Sequence, residues 1–338
     1  MKISIITPVY NEANYLDRYL ESVKTINYPK TDFEIVIVND ASTDNSASKI
    51  KEFIKNNPEI DIRFYNNEEN LGVLYTRNKA ATLAKYDYIL NIDGHSVIDP
   101  MIVGNFVILH AEKKEDVIMG ACPFQENNIN AIFSHMVLRR LYGKNMTDRN
   151  FKDYYLDESN FEKSLKGTSP LFIKKSLYLE ATPKESSKTA NDDIRLLKKV
   201  IEIKGKFLRT SQASITYLAR DSVIDELHHI HKRGPRFVDY YLRPGTKFFR
   251  YIQILVLLSF LAPLFLIGLI LLLGLKTILL IALLGIIASF VGSIILFARN
   301  IKEVFVSLLF PIFLIVFILG VYKGLFMKFF KWIKPKKS

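Results

Sequence analysis

The sequence predicts an α/β protein, a mostly parallel central sheet with helices on both faces, followed by apolar α-helices at the C-terminal end. Three observations carry this. Short β-rich runs alternate with amphipathic stretches through the first hundred residues. A polar cluster closes each of those runs. From Tyr251 to Tyr322 the only charged residues are Lys276, Arg299, Lys302 and Glu303.

The elements follow in order. ISII (3–6) is the first strand, and a helix is expected from about Glu12 to Lys24. FEIVIV (33–38) is the second strand, followed by a helix from Asp44 to about Lys55. IRFY (62–65) precedes a helix from Gly72 to Ala84, and YDYIL (86–90) precedes a helix after Pro100. Strands that alternate with helices build a parallel sheet, and ligands of such sheets bind beyond the carboxyl ends of the strands. The clusters TPVYNE, NDASTD, NNEENLG and NIDGH stand at those four ends, which brings Tyr10, Glu12, Asp40, Asp44, Asn70, Asp93 and His95 toward one crevice. Asp44, just before a helix, reads as a helix cap before it reads as a ligand.

No GxGxxG and no GxxxxGK[ST] follows the first strand, which argues against a dinucleotide cofactor and against a P-loop. A divalent ion is the other common means of holding phosphates. Asp93 and His95, two residues apart at a strand end, share one face because side chains alternate with period two. A carboxylate and an imidazole suit Mn²⁺ or Mg²⁺ when phosphate oxygens and water complete the shell. Gly94 between them lets backbone approach the ligand.

TPVYNE, VNDASTD, NLGVLYTRN, LNIDGH and NDDIRLL, in this order and at these intervals, resemble the family-2 inverting glycosyltransferases of the GT-A fold, over residues 3 to about 236. The Asp-x-His variant, LARDSVIDELHHIHKRG and the apolar C-terminal segments are most similar to membrane-anchored glucosyltransferases of the succinoglycan-biosynthesis type. The resemblance implies that Pro8, Tyr10, Glu12 and Asp40 hold the nucleoside, with Asp40 accepting from base or ribose, and that Arg77 lies near the nucleotide. It implies Asp93 and His95 as the metal motif, with Asn91 where an acid is common. In TANDDIRLLKKV, whose acidic pair opens a helix, Asp193 matches the catalytic base and Asp192 its acidic neighbour. In LHHIHKRG, His229, Lys232 and Arg233 stand where the family carries a motif that closes over diphosphate and acceptor.

The three apolar stretches, 251–275, 277–298 and 304–322, each approach or exceed the ~20 residues that cross a bilayer. Three crossings would put the lysine-rich tail opposite the head. A re-entrant segment at Pro263 or Pro311 would leave two, so the expectation is two or three spans. MKISIITPVYNE lacks the apolar length of a signal peptide, so the head is expected on the cytoplasmic face of a plasma membrane. The formal charge of +12 gathers beside the apolar segments, which points to lipid headgroups and not to nucleic acid. A single cysteine, Cys122, fits a reducing compartment. The expected division is a GT-A domain over 1–220, a basic juxtamembrane segment over 221–250, apolar spans over 251–325 and a basic tail over 326–338. ACPFQENNINAIFSHMVLRRLYG is expected to carry part of the acceptor site, and NFKDYYLDESNFEKS to be a mobile surface loop.

The expected activity is metal-assisted transfer from a nucleotide-diphosphate sugar, by resemblance a UDP-sugar, to a lipid-linked or growing glycan. Two other readings stay open: transfer to a polyisoprenyl phosphate, and a silent nucleotide-sugar-binding subunit of an export complex. Oligomeric state stays open as well.

Overall fold

The structure is a computed structural model that describes residues 1–125, 128–143, 150–184, 192–242 and 249–333. By contacts it divides into two compact units. The first comprises Met1–Ala131, Leu138–Lys188 and Asp192–Ala219, and the second contains Ile132–Val137 and the chain from Arg220 onward.

The first unit is built on one mixed sheet. Its opening half reads β1 (Ile3–Val9), α1 (Ala13–Lys24), β2 (Phe33–Asn39), α2 (Ser46–Asn56), β3 (Ile62–Asn66), α3 (Val73–Leu83) and β4 (Tyr88–Asn91). β1 pairs with both β2 and β4, and β2 with β3, all in parallel. β1 and β2 are buried at every position, as central strands covered on both faces must be. Ile3, Ile5, Ile35 and Ile37 pack with Leu16, Tyr19 and Val23 of α1 and with Ile50 and Phe53 of α2. α3 packs on β1 and β2 with Ala80 and Ala81 fully buried, and these small side chains let the helix lie close to the sheet.

The second half of the sheet is mixed. It adds β5 (Ser96–Ile98), α4 (Ile102–Lys113), β6 (Val117–Ala121), α5 (Ile129–Tyr142), β7 (Tyr154–Asp157), β8 (Leu171–Lys174), α6 (Lys175–Ala181), α7 (Asp192–Lys204) and β9 (Lys206–Tyr217). The strand order is β3-β2-β1-β4-β8-β6-β9-β5, with β7 on β9. β8 runs antiparallel between β4 and β6, so the sheet changes sense beside the strand that carries Asp93. The segment 150–164, expected as a mobile loop, instead supplies β7, antiparallel to β9, and buries Phe151, Leu156 and Phe161. Its four-residue strand, Tyr-Tyr-Leu-Asp, is too short to show a period. α5 occupies the segment expected near the acceptor, and Asn128 caps it by accepting the Ala131 N–H at 2.8 Å.

The second unit is helical: α8 (Val223–Tyr241), α9 (Phe249–Leu273), α10 (Leu275–Phe297), α11 (Ile301–Ser307) and α12 (Phe310–Ile333). Phe133, Met136, Ile230, Val306 and Phe313 form its core, with the rings of Phe133 and Phe313 edge to face at 4.3 Å. Among the described residues two segments are long and apolar enough to cross a membrane, Leu275–Phe297 and Ile301–Lys328. α9 runs through Pro263, whereas Pro311 stands in the first turn of α12, just after the turn at 308–309 that separates α12 from α11, where a missing N–H leaves no bond unmade.

Candidate active site

The site is assembled from the turns that follow β1, β2, β3 and β4. Asn11 takes a left-handed conformation (φ 53°), which Asn tolerates better than most residues. Its side-chain carbonyl accepts the Thr43 N–H at 2.8 Å, and its own N–H donates to Ser42 Oγ at 2.9 Å. Asp44 accepts the N–H of Ala13 and of Ser46, both at 3.0 Å, and so caps α1 and α2 together. Burial alone would raise its carboxyl; the bonds from Ser46 and Ala13 outweigh that and hold it below the usual range. Two strand ends are thereby tied into one rim. Tyr10 is 45% exposed on that rim, and Pro8 is buried within β1 at a level where β4 has already ended, so no ladder bond is lost.

Asp40 departs from its expected use. It is 2% exposed, and its carboxylate accepts from Asn67 Nδ2 at 2.8 Å, Leu71 N–H at 2.9 Å and Gly72 N–H at 2.8 Å. It thus holds the turn after β3, while Gly72 takes the positive φ of 96° that the turn needs. The rim position is as the motif implies, but most of the carboxylate's lone pairs are engaged within the protein.

His95 lies at the end of β4's turn with Nδ1 2.8 Å from Glu12 Oε1. A carboxylate only accepts, so Nδ1 carries the proton of that bond. The rings of Tyr15 and Tyr217 meet His95 edge-on at 6.4 and 5.0 Å and fix its plane. Glu12 Oε2 is buried without a partner among the described residues and faces Gly94, where any Cβ would collide with it. That contact is the reason for the glycine between Asp93 and His95.

Arg77, 6% exposed on α3, joins the two carboxylates of interest. Its Nη2 donates to Asp93 Oδ1 at 2.7 Å, and its Nη1 donates to Asp193 Oδ1 at 2.6 Å and to Thr168 Oγ1 at 2.9 Å. Burial pushes the Asp93 carboxyl up, but the guanidinium of Arg77, with His95 nearby, overcomes it and holds Asp93 below the usual carboxylate range. Asp193 opens α7 and is about one-third exposed, so one of its oxygens is held while the carboxylate still reaches open space.

Asn91, expected near the nucleotide, is fully buried on β4, and its amide donates to the carbonyl of Thr168, whose hydroxyl meets Arg77 and Asp193. The reason is its pairing with Leu171 of β8, which sets its side chain against the segment leading into that strand. That segment was missed in the sequence. Thr168 Oγ1 lies 2.8 Å from Asp193 Oδ1, and Ser169 Oγ accepts the Asp93 N–H at 3.0 Å. Gly-Thr-Ser-Pro before an apolar run reads as an ordinary turn, and nothing local distinguishes it. The Asp192 side chain lies outside the described residues. His229, Lys232 and Arg233 lie on α8 in the second unit, where Arg233 Nε donates to His229 Nε2 at 3.0 Å.

Among the described residues no group of three or more His, Cys, Asp and Glu could enclose a metal. Asp93 and His95 fit a cation that is shared with a ligand: one carboxylate, one imidazole, and the Glu12 carboxylate behind the imidazole that orients its ring.

Comparison with known proteins places the chain beside glycosyltransferases in sequence and fold. Residues 4–162 match the model described as Glycosyl transferase family 2. The chain is 38% identical over 97 residues to a poly-beta-1,6-N-acetyl-D-glucosamine synthase of Staphylococcus epidermidis, covering 29% of this chain and 22% of that protein. It is 31% identical over 120 residues to the poly(ribitol-phosphate) beta-glucosyltransferase of Bacillus spizizenii, covering 36% of this chain and 19% of that protein. The match thus spans about a fifth of each relative's length. Among solved structures, the mannosyltransferase PcManGT of Pyrobaculum calidifontis, in complex with GDP-Man and Mn²⁺, is similar with a TM-score of 0.58 at 16% identity over 97% of this chain and 88% of that one. S. aureus TarS residues 1–349 with UDP-GlcNAc gives 0.51 at 18% identity over 71% and 67%. At these identities the likeness shows the fold, which is GT-A.

Proposed function

We propose, from the match of residues 4–162 to the model described as Glycosyl transferase family 2, that this chain is a membrane-anchored inverting glycosyltransferase of that family. Its donor is a nucleoside-diphosphate sugar, a UDP-sugar in the first instance, and its acceptor a hydroxyl of a lipid-linked or growing surface glycan. One observation carries the reading: a single buried guanidinium, Arg77, bonds both Asp93 and Asp193. The carboxylate suited to the diphosphate end of a donor and the carboxylate suited to the acceptor hydroxyl therefore share one cation.

Asp193 is the general base. Its free oxygen takes the acceptor's hydroxyl proton while that oxygen bonds to the anomeric carbon. The bond from that carbon to the diphosphate breaks on the opposite side, and its electron pair leaves with the nucleotide. No enzyme nucleophile is involved, and configuration inverts. A divalent cation held by Asp93 and His95 would supply charge neutralisation at the departing diphosphate. Tyr10 and the turn fixed by Asp40 are proposed to receive the nucleoside, with Pro8 and Glu12 shaping the wall behind it. Lys232 and Arg233 on α8 are proposed to meet a lipid diphosphate or headgroups. The complexes of PcManGT with GDP-Man and Mn²⁺ and of TarS with UDP-GlcNAc, and relatives named as glycan synthases, support this assignment of donor and reaction.

The test is a panel of UDP- and GDP-sugars with purified full-length protein, with Mn²⁺ and with chelator. The expected outcome is nucleotide release that needs the cation and is lost in Asp193→Asn while donor binding survives. Near-normal turnover by Asp193→Asn would remove it as base. Turnover with free polyprenyl phosphate in place of a glycan would reassign the acceptor.

A further inference from the structure

We infer that Thr168 is the positioning residue of the proposed base: its hydroxyl aims the Asp193 carboxylate so that one chosen oxygen meets the acceptor. The inference rests on the reading of Asp193 given above. Thr168 is 2% exposed and precedes β8, far from Asp193 in sequence and outside every motif of the N-terminal half.

The hydrogen bonding around it has one consistent direction. Arg77 can only donate, so Thr168 Oγ1 accepts from Nη1 at 2.9 Å. An ionised carboxylate can only accept, so the hydroxyl proton points to Asp193 Oδ1 at 2.8 Å. Arg77 Nη1 reaches the same oxygen at 2.6 Å. Both donors converge on Oδ1, and Oδ2 is left to face the acceptor. A single bond from Arg77 would leave the carboxylate able to turn about its own axis; the second donor removes that freedom. The mainchain of Thr168 is itself fixed, since its carbonyl accepts from the Asn91 amide, and the next residue, Ser169, accepts the Asp93 N–H. The chain from β4 to α7 thus passes through Thr168 and Ser169, which set the proposed base relative to Asp93.

The test compares Thr168→Val, which keeps the shape and loses the hydroxyl, with Thr168→Ser, which keeps the hydroxyl. Full-length protein is assayed with whichever nucleotide sugar the wild type turns over in the panel above. The valine variant is expected to lose roughly 10- to 100-fold in kcat, as a charge-assisted bond and a misaligned base imply, with donor KM within about threefold. The serine variant is expected to recover most of kcat. Crystals of Thr168→Val should show the Asp193 carboxylate rotated or in two orientations. Thr168→Ala, which cannot clash, repeats the comparison if the valine variant fails to fold. Unchanged kcat in Thr168→Val, equal losses in Val and Ser, a loss confined to donor binding, or an unmoved Asp193 each overturns the inference. If Asp193→Asn itself remains active, the base reading fails with it; if that variant is silent while Thr168→Val is normal, only the positioning role fails.

Discussion

At the scale of single residues, the site depends on one cation buried between two acids. Arg77 loses hydration on burial, and Asp93 and Asp193 outweigh that loss and keep it charged. Removing one member of such a group leaves a buried charge uncompensated, which costs about 3–5 kcal/mol. The pH dependence follows from Asp93. Its carboxyl is held below the ordinary value of 3.8, so its contribution to stability is complete above 3.8 and is lost as the pH falls through the lower folded value. Asp93→Asn should therefore melt below the wild type at neutral pH, and the gap should close on acidification below 3.8. Thermal midpoints of both proteins across a pH series measure it, and a gap that widens in acid would contradict the pairing.

At the scale of elements, the two units use backbone proximity in different ways. In the first unit α3 approaches the sheet through Ala80 and Ala81. In the second, α8 and α12 pack through glycine: a Cβ on Gly234 would collide with the backbone of Gly320 and Val321, and one on Gly320 with the carbonyl of His231. Gly320 and Gly324 are four apart on α12, the small-xxx-small spacing that lets helices meet backbone to backbone. Backbone cannot rotate away as a side chain can, so Gly320→Ala should cost at least the about 1–3 kcal/mol of ordinary overpacking. Gly104→Ala on α4, where nothing lies within 4 Å of the new methyl, should instead stabilise by about 0.5–1 kcal/mol. Melting curves in the same detergent compare them; equal effects would mean that the glycine crossing contributes nothing.

At the scale of the whole molecule, charge and apolarity are separated along the chain. α10 and the segment Ile301–Lys328 expose long apolar surfaces, with only 6% and 22% of their most apolar windows buried within the protein. Water does not tolerate such surface, and a bilayer accepts it. The basic residues adjoining these helices add attraction to anionic headgroups. The full-length protein should pellet with membranes, stay there through alkaline carbonate and high salt, and leave only with detergent. Release by salt alone would mean that charge, and not insertion, holds it.

The sequence by itself determined the parallel half of the sheet, because short, β-rich apolar runs and the amphipathic helices between them are local signals that central burial only reinforces. α1 to α3 stand within a residue or two of the expected bounds, α4 begins just after Pro100 as expected, and Asp44 is the cap its position implied. The apolar helices were legible for the same reason, since length and composition suffice. Tertiary structure alone decided the rest. Whether Asp40 offers its carboxylate to a ligand depends on Asn67, Leu71 and Gly72 folding back onto it, and what the Asn91 amide meets depends on β8 lying beside β4. The sense of β6 to β9 was hidden because β6, β7 and β8 are short and pair across long stretches of chain, as β7 does with β9. Arg77 meets Asp193 across 116 positions and Thr168 across 91. No periodicity reaches that far: only the closed sheet brings those side chains within a hydrogen bond of one another.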